Sequence, residues 1–246
     1  MKKFVVLGYG MIGFLLFHMS LIYFIGFMAN FSFLPRTLDS DPRGDPLVSI
    51  LVDIVLIVLF GLQHSMMARP QFKKWWIKWT LPAVERTTYV ILASLLLWVL
   101  CWYWHPVPIV IWEVNDRLSF LLLWGLFWFG WIFGIFASGL IDLSDLMGLR
   151  QVYAYFYNTQ YSPPEFKVVS IYRYIRHQIM LGTLIGLWAT PKMTIGHLLL
   201  AMGLTIYIFI GIVYEENDLI QTFGSKYQEY RRMTTAILPF VNFPKR

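Results

Sequence analysis

The fold is decided by residues 47–67, which read LVSILVDIVLIVLFGLQHSMM. This run matches the ~20 residues that a helix needs to cross the hydrocarbon core of a bilayer. Similar apolar runs occupy residues 4–28, 89–104 and 118–140, and two more, 171–189 and 196–214, flank Pro191. The sequence therefore predicts an all-α integral membrane protein with five to six transmembrane helices.

The composition agrees with this prediction. Hydrophobic residues make up 58% of the 246 residues and charged residues only 14%, which is too apolar for a soluble domain of this size. No internal repeat is visible, so we expect a single domain over residues 1–246. Residues 1–140 should hold transmembrane helices one to four, and residues 141–246 a cytoplasmic segment, a helical hairpin and a tail. The one cysteine, Cys101, can neither close an intrachain disulfide nor build a thiolate site, and we assign no metal site.

The distribution of charge predicts an orientation. Residues 30–46 carry two arginines and three aspartates, whereas residues 69–86 carry five basic side chains and one glutamate. Because cytoplasmic loops are enriched in Lys and Arg, residues 69–86 and the N-terminus should lie in the cytoplasm of a cell (inner) membrane protein. Topology and contact with anionic lipid explain the basic excess, so we expect membrane lipid and no nucleic acid as a partner.

The last two apolar runs differ from the others because Pro191 interrupts them, and proline cannot continue a helix interior. We expect a tight helical hairpin whose first arm begins after Ser170 as the N-cap. The hairpin should bring residues 172–177 and 214–216 to one cytoplasmic mouth. At a uniform helical rise, His177 and Glu215 would be offset by roughly 9 Å, a separation that suits opposite parts of an elongated ligand.

Ionisable residues gather at this mouth, where they are costly unless paired or used. Two adjacent glutamates suit an ammonium or sulfonium group, and arginine and histidine suit a carboxylate. Snorkelling interfacial charge is the alternative interpretation. The residues concerned are Arg173, Arg176, His177, Glu215 and Glu216.

The C-terminal pattern resembles that of the isoprenylcysteine carboxyl methyltransferase and phospholipid methyltransferase superfamily. It consists of RHQIMLG at 176–182, Pro191, YEENDL at 214–219, FGSKYQEY at 223–230 and Leu238-Pro239. The resemblance implies that the hairpin and the tail bind S-adenosylmethionine. The cofactor-binding residues that it implies are Tyr172, Arg173, Arg176, His177, Gly182, Tyr214, Glu215 and Glu216.

A resemblance over nearly the whole chain points to the bacterial methanethiol S-methyltransferases, which make dimethyl sulfide; NnrU-like membrane proteins share part of it. It rests on GLQHSMMARP at 61–70, ERTTY at 85–89, PVPIVIW at 106–112 and GLRQV at 148–152. It implies S-methylation of a small thiol. Two departures are Gln178, in place of the family's usual proline, and residues 141–145 (IDLSD), which lack the family's histidine.

The chemistry needs a bound thiolate held in line with a sulfonium methyl group, without covalent catalysis. A base or a nearby cation would favour the thiolate. With the resemblance, this leads us to expect His64 and Arg69, followed by Arg150 and Tyr153, as the catalytic residues.

Two other functions remain open at this stage. The acceptor could be a lipid or a prenylcysteine, which would keep the cofactor and change the substrate. Alternatively, His64 and His177 could ligate a haem in an electron-transfer subunit. No obligatory protein partner is predicted.

Overall fold

The computed structural model describes residues 1–237, and Leu238-Pro239 of the C-terminal motif lies outside the described residues. In chain order, the helices and strands are α1 (Lys2–Met28), α2 (Pro46–Ala68), α3 (Pro70–Trp76), α4 (Pro82–Tyr103), β1 (Val110–Glu113), α5 (Arg117–Ile141), α6 (Leu143–Leu146), α7 (Leu149–Tyr157), α8 (Gln178–Trp188), β2 (Lys192–Thr194), α9 (Ile195–Phe223) and α10 (Ser225–Met233). A short 3₁₀ helix covers Ser170–Arg173. The two short strands pair with each other.

Five of these helices, α1, α2, α4, α5 and α9, are long and apolar enough to cross a membrane, which confirms the predicted membrane fold. Local sequence sets their ends. Asp45 caps α2 by accepting hydrogen bonds from the backbone N–H groups of Leu47 and Val48, and Pro46 occupies the first turn, where its missing N–H costs nothing. Pro70 and Pro82 likewise start α3 and α4.

The chain divides into two compact units. Unit 1 comprises Met1–Ile109, Asp142–Pro164 and Thr194–Leu200, and in it α4 packs against α1, α2 and α7. Unit 2 comprises Val110–Ile141, Glu165–Met193 and the described residues from 201 on, and its main packing is α5 against α8.

The close packing of α5 and α8 depends on glycine. A Cβ atom built on Gly182 would lie 2.5 Å from the carbonyl oxygen of Gly130 and 2.6 Å from the amide nitrogen of Gly134. One built on Gly186 would lie 2.7 Å from the indole of Trp131. Small residues let membrane helices approach backbone to backbone in this way.

The predicted first arm of the hairpin differs from the structure. Its helix, α8, begins at Gln178, has 11 residues and has His177 at its N-cap position, whereas Ser170 is the first residue of the 3₁₀ helix, with φ +47°; the prediction of Ser170 as N-cap is therefore wrong. The reason is a competing backbone pairing. The N–H groups of Arg176 and His177 donate to the carbonyl oxygens of Thr235 and Ala236, at 2.9 and 3.0 Å, and so are not used within a helix.

Candidate functional site

The centre of the predicted cofactor site in unit 2 is the carboxylate of Glu216, whose side chain is 8% exposed. Nε and Nη2 of Arg176 each lie 2.8 Å from its Oε1, and Nε2 of His177 lies 3.1 Å from the same oxygen. Nε of Arg231 lies 2.8 Å from Oε2. One buried carboxylate therefore binds three basic side chains from two segments of the chain.

Arg176 also anchors the end of the described chain. Its Nη1 donates to the carbonyl oxygens of Arg231, at 3.1 Å, and of Thr234. Tyr230 Oη donates to the carbonyl oxygen of Tyr172 at 2.6 Å, and Tyr172 Oη donates to that of Ala137 in α5 at 3.2 Å. These bonds fix α10 and the 3₁₀ helix against the rest of unit 2.

The two adjacent glutamates differ in exposure. Glu215 is 47% exposed, and its Oε2 lies 3.6 Å from Nδ1 of His177, so the expected 9 Å offset of these two residues is wrong. The offset assumed uniform helical rise, whereas residues 174–177 pair with residues 234–236 before α8 begins. Burial lowers the pKa of His177, but the hydrogen bonds and charges of Glu215 and Glu216 outweigh burial, so the pKa is raised.

The remaining predicted cofactor residues fall into two groups. Arg173 and Tyr214 are exposed. Tyr172 and Gly182 are buried against α5, and the geometry gives them a packing role. Arg231 and Thr234 also belong to the network, but they were not predicted from the sequence. No spacing rule distinguishes Arg231 from the other basic residues of α10. The signal that could have indicated this segment is the adjacent FGSKYQEY motif.

Two buried polar atoms beside this network bear on whether a ligand fits. Within residues 1–237, Oε1 of Gln178 and Oη of Tyr227 have no hydrogen-bond partner, and both side chains are almost fully buried. An unsatisfied buried polar group costs about 1–3 kcal/mol. Together with the exposed carboxylate of Glu215, these atoms suit a ligand that carries amine or hydroxyl donors, as S-adenosylmethionine does.

The predicted catalytic residues all lie in unit 1. His64, near the end of α2, hydrogen-bonds through Nε2 with Oη of Tyr89 at 2.7 Å, and Nε of Arg69 donates to the carbonyl oxygen of Ser65 in the last turn of the same helix. Tyr153 on α7 is 40% exposed, with its hydroxyl 3.9 Å from Sδ of Met11.

The segment that departs from the family pattern has its own contacts. Asp142 accepts a hydrogen bond from the N–H of Asp145, at 3.1 Å, at the start of α6, and its carboxylate pairs with Arg150 at 2.9 Å. Asp145 accepts a hydrogen bond from Tyr161 at 2.8 Å. Burial, with the Asp145 hydrogen bond, raises the pKa of Tyr161 to about 12, so this phenol remains a donor. Both aspartates therefore have structural partners.

Haem ligation by His64 and His177 is poorly supported by this geometry. The Nε2 atom of each imidazole is engaged with a side chain of its own unit, His64 with Tyr89 and His177 with Glu216. Ligation through Nε2 would require both rings to give up these hydrogen bonds.

Comparison with known proteins identifies relatives over nearly the full length. The chain is 41% identical to a methanethiol S-methyltransferase of Crocosphaera subtropica, covering 96% of this chain and 92% of the relative. It is 40% identical to a methanethiol S-methyltransferase of Mycobacterium tuberculosis, covering 98% of both chains.

More distant similarity extends to nurim of Bos taurus, at 32% identity over 70% of this chain and 69% of that protein. No family model matches the sequence, and no solved structure matches it. The similarity at 40–41% identity covers all the motifs in residues 1–237 on which the resemblance was based. The chain therefore belongs to the methanethiol S-methyltransferase family.

Proposed function

We propose that this protein transfers a methyl group from S-adenosylmethionine to methanethiol and so makes dimethyl sulfide, in the cell (inner) membrane. The observation that carries the proposal is the 40–41% identity to methanethiol S-methyltransferases over 96–98% of the chain. The names of these relatives imply a methyl donor, and the charged network of unit 2 supports S-adenosylmethionine as that donor.

The cofactor would be held by the groups that remain accessible around the Glu216 network. Glu215 would receive its ammonium group, while Arg173 and Tyr214 would meet its carboxylate and polar edge. Arg176, His177 and Glu216 would position Glu215 and the end of the chain, since they already bind one another. Tyr172 and Gly182 would act through packing.

When bound, the cofactor would supply an electrophilic methyl group, and the thiol sulfur would take that carbon as the sulfonium C–S bond breaks, leaving dimethyl sulfide and S-adenosylhomocysteine. The protein has to orient the acceptor, exclude water and remove the thiol proton. A simple thiol titrates at or above about 8.5, so proton removal is the step that side chains can assist.

In this proposal, His64 accepts the thiol proton and Arg69 favours the thiolate by its charge. Arg150 and Tyr153 have secondary roles, because Arg150 is already paired with Asp142 and Tyr153 is exposed on α7. A hydrophobic acceptor arriving through lipid matches the apolar surroundings of α2 and α4.

The test supplies membranes containing the protein with methanethiol and S-adenosylmethionine bearing a deuterated methyl group. We expect deuterated dimethyl sulfide in the headspace by gas chromatography and mass spectrometry. His64→Ala should lower turnover with cofactor affinity nearly intact. If other thiols are methylated and methanethiol is not, methanethiol is wrong as the substrate and the family assignment is kept. Unlabelled dimethyl sulfide would contradict S-adenosylmethionine as the methyl donor.

A further inference from the structure

Three of the sequence motifs meet in unit 1 around one side chain, Tyr89. Its hydroxyl lies 2.7 Å from Nε2 of His64, from the GLQHSMMARP motif. The guanidinium carbon of Arg86 lies 5.0 Å from the centre of the Tyr89 ring, and Nε of Arg86 donates to the carbonyl oxygen of Leu146 at 2.7 Å. The phenol thus bridges a proposed catalytic imidazole and a fixed cation.

The third motif, GLRQV, holds this arrangement from the other side. Gly148 has φ +85°, which favours glycine, and a Cβ atom there would lie 2.7 Å from both the amide nitrogen and Oγ1 of Thr87. The backbone that carries Leu146 and Gly148 therefore lies directly on the turn of α4 that carries Arg86. Arg86 is consequently restrained at its backbone and at its guanidinium group.

The surroundings of Tyr89 are apolar. Its side chain is 7% exposed and packs in a core cluster with Met67, Val90 and Met147, against which partly buried phenylalanines also pack. A hydrogen bond in such an environment is electrostatically stronger than one in water. Breaking the Tyr89–His64 bond would therefore cost more than it would in water, which favours one orientation of the imidazole ring.

We infer that Tyr89 is a positioning residue for His64, an inference that rests on the proposed function. The bond to Oη fixes the orientation of the imidazole ring. A neutral imidazole has one donor and one acceptor nitrogen, so in this proposal Nε2–H donates to Tyr89 and Nδ1 is the nitrogen that accepts the thiol proton. The cation–π contact with Arg86 keeps the phenol in place. Loss of the hydroxyl would release the ring, and only a fraction of the molecules would present His64 correctly.

The kinetic test compares Tyr89→Phe with Tyr9→Phe. Tyr9, on α1, also forms a hydroxyl hydrogen bond to a neighbouring helix, at 2.9 Å to Oγ1 of Thr88 on α4, but its partner is not His64. We expect Tyr89→Phe to lower kcat about tenfold and to alter its pH profile, with the KM for S-adenosylmethionine nearly unchanged, because general-base catalysis depends on orientation. Tyr9→Phe should stay within about twofold. Equal effects in the two variants would overturn the inference.

The double variant separates positioning from general stability. If Tyr89 acts through His64, adding Tyr89→Phe to His64→Ala should cause no further loss of kcat. A full additional tenfold loss in that background would show that Tyr89 acts independently and would overturn the inference.

A spectroscopic test does not depend on activity. In histidine-labelled protein, the imidazole ¹⁵N shifts of His64 should report one tautomer in the wild type and a mixture in Tyr89→Phe. Unchanged shifts in Tyr89→Phe would overturn the inference. If the wild type methylates no thiol, the proposed function fails, and these shifts still decide whether Tyr89 sets the tautomer.

Discussion

The adjacent residues Glu215 and Glu216 have different environments although they share a sequence motif. Glu216 binds Arg176, His177 and Arg231 and is 8% exposed, whereas Glu215 is 47% exposed. A buried charge depends on its partners, while an exposed one remains hydrated and accessible. Glu216 therefore has a structural role, and in the proposed function Glu215 is the glutamate that contacts the ligand.

This difference in roles predicts different effects of two neighbouring substitutions. Glu216→Ala removes the counter-charge of the buried Arg176 and one of the two carboxylates that face His177, and it should destabilise the protein by about 3–5 kcal/mol, besides weakening cofactor binding. Glu215→Ala should weaken cofactor binding with a stability loss below about 1 kcal/mol. Thermal unfolding in detergent and calorimetric titration with S-adenosylhomocysteine measure the two effects. Equal losses of stability would contradict the difference in roles, and unchanged binding in both variants would contradict the proposed pocket.

The raised pKa of His177 predicts a pH dependence of stability. Charged His177 faces Glu215 and Glu216 as well as the cations Arg176 and Arg231, and the net effect raises its pKa. Because the pKa of His177 is higher in the folded than in the unfolded state, its protonation stabilises the fold. This contribution is fully present below the ordinary imidazole pKa of about 6.5, and it is lost as the pH rises through the pKa of the folded state. The melting temperature should therefore fall from about pH 6.5 upward. His177→Gln should flatten that slope; an unchanged slope would assign it to another group.

The sequence could predict that these residues cluster, because the basic residues near the start of the run at 171–189 and the glutamates after the run at 196–214 should lie at the same end of the hairpin. It could not indicate how the side chains pair. Arg231 is one of several basic residues in α10, and only the backbone pairing of residues 174–177 with 234–236 brings its segment to Glu216. That pairing depends on contacts between residues about 60 positions apart, which local hydrophobic periodicity cannot predict.

At the scale of elements, glycine residues allow the short helix α8 to pack closely against α5. Its 11 residues are too few to cross a bilayer, and its main contact is with α5. Glycine spacing could have suggested the contact, since Gly130 and Gly134 on α5 and Gly182 and Gly186 on α8 are each four residues apart. The apolar run alone could not show that its first seven residues leave the helix.

The contact predicts a large effect of one added methyl group. Gly182→Ala places a Cβ atom within 2.6 Å of backbone atoms of Gly130 and Gly134, which cannot move as a flexible side chain could. We expect a loss of about 1–3 kcal/mol. Gly125→Ala is the matched control on α5, because its Cβ atom would meet nothing within 4 Å, and it should change stability by less than about 0.5 kcal/mol. Unfolding midpoints in mixed micelles measure both, and similar midpoints would contradict the close packing.

At the scale of the whole molecule, the number of spanning helices could be read from the sequence because lipid imposes a length and an apolar composition on each one. Four of the predicted runs match α1, α2, α4 and α5, and the run at 196–214 falls within α9. Orientation rests on charge alone. Residues 69–86, which include α3, carry the basic excess, and residues 30–46 do not.

The proposed orientation can be tested with single cysteines in a Cys101→Ala background, which removes the one native, buried thiol. Asp41→Cys, Lys78→Cys and Lys226→Cys each replace an exposed side chain, in residues 30–46, between α3 and α4, and in α10. Because basic segments stay in the cytoplasm, a membrane-impermeant maleimide should label Asp41→Cys on intact cells. It should label Lys78→Cys and Lys226→Cys only after permeabilisation. Labelling of Lys226→Cys on intact cells would put α10 and the Glu216 network on the outer face, where S-adenosylmethionine made in the cytoplasm could not reach them.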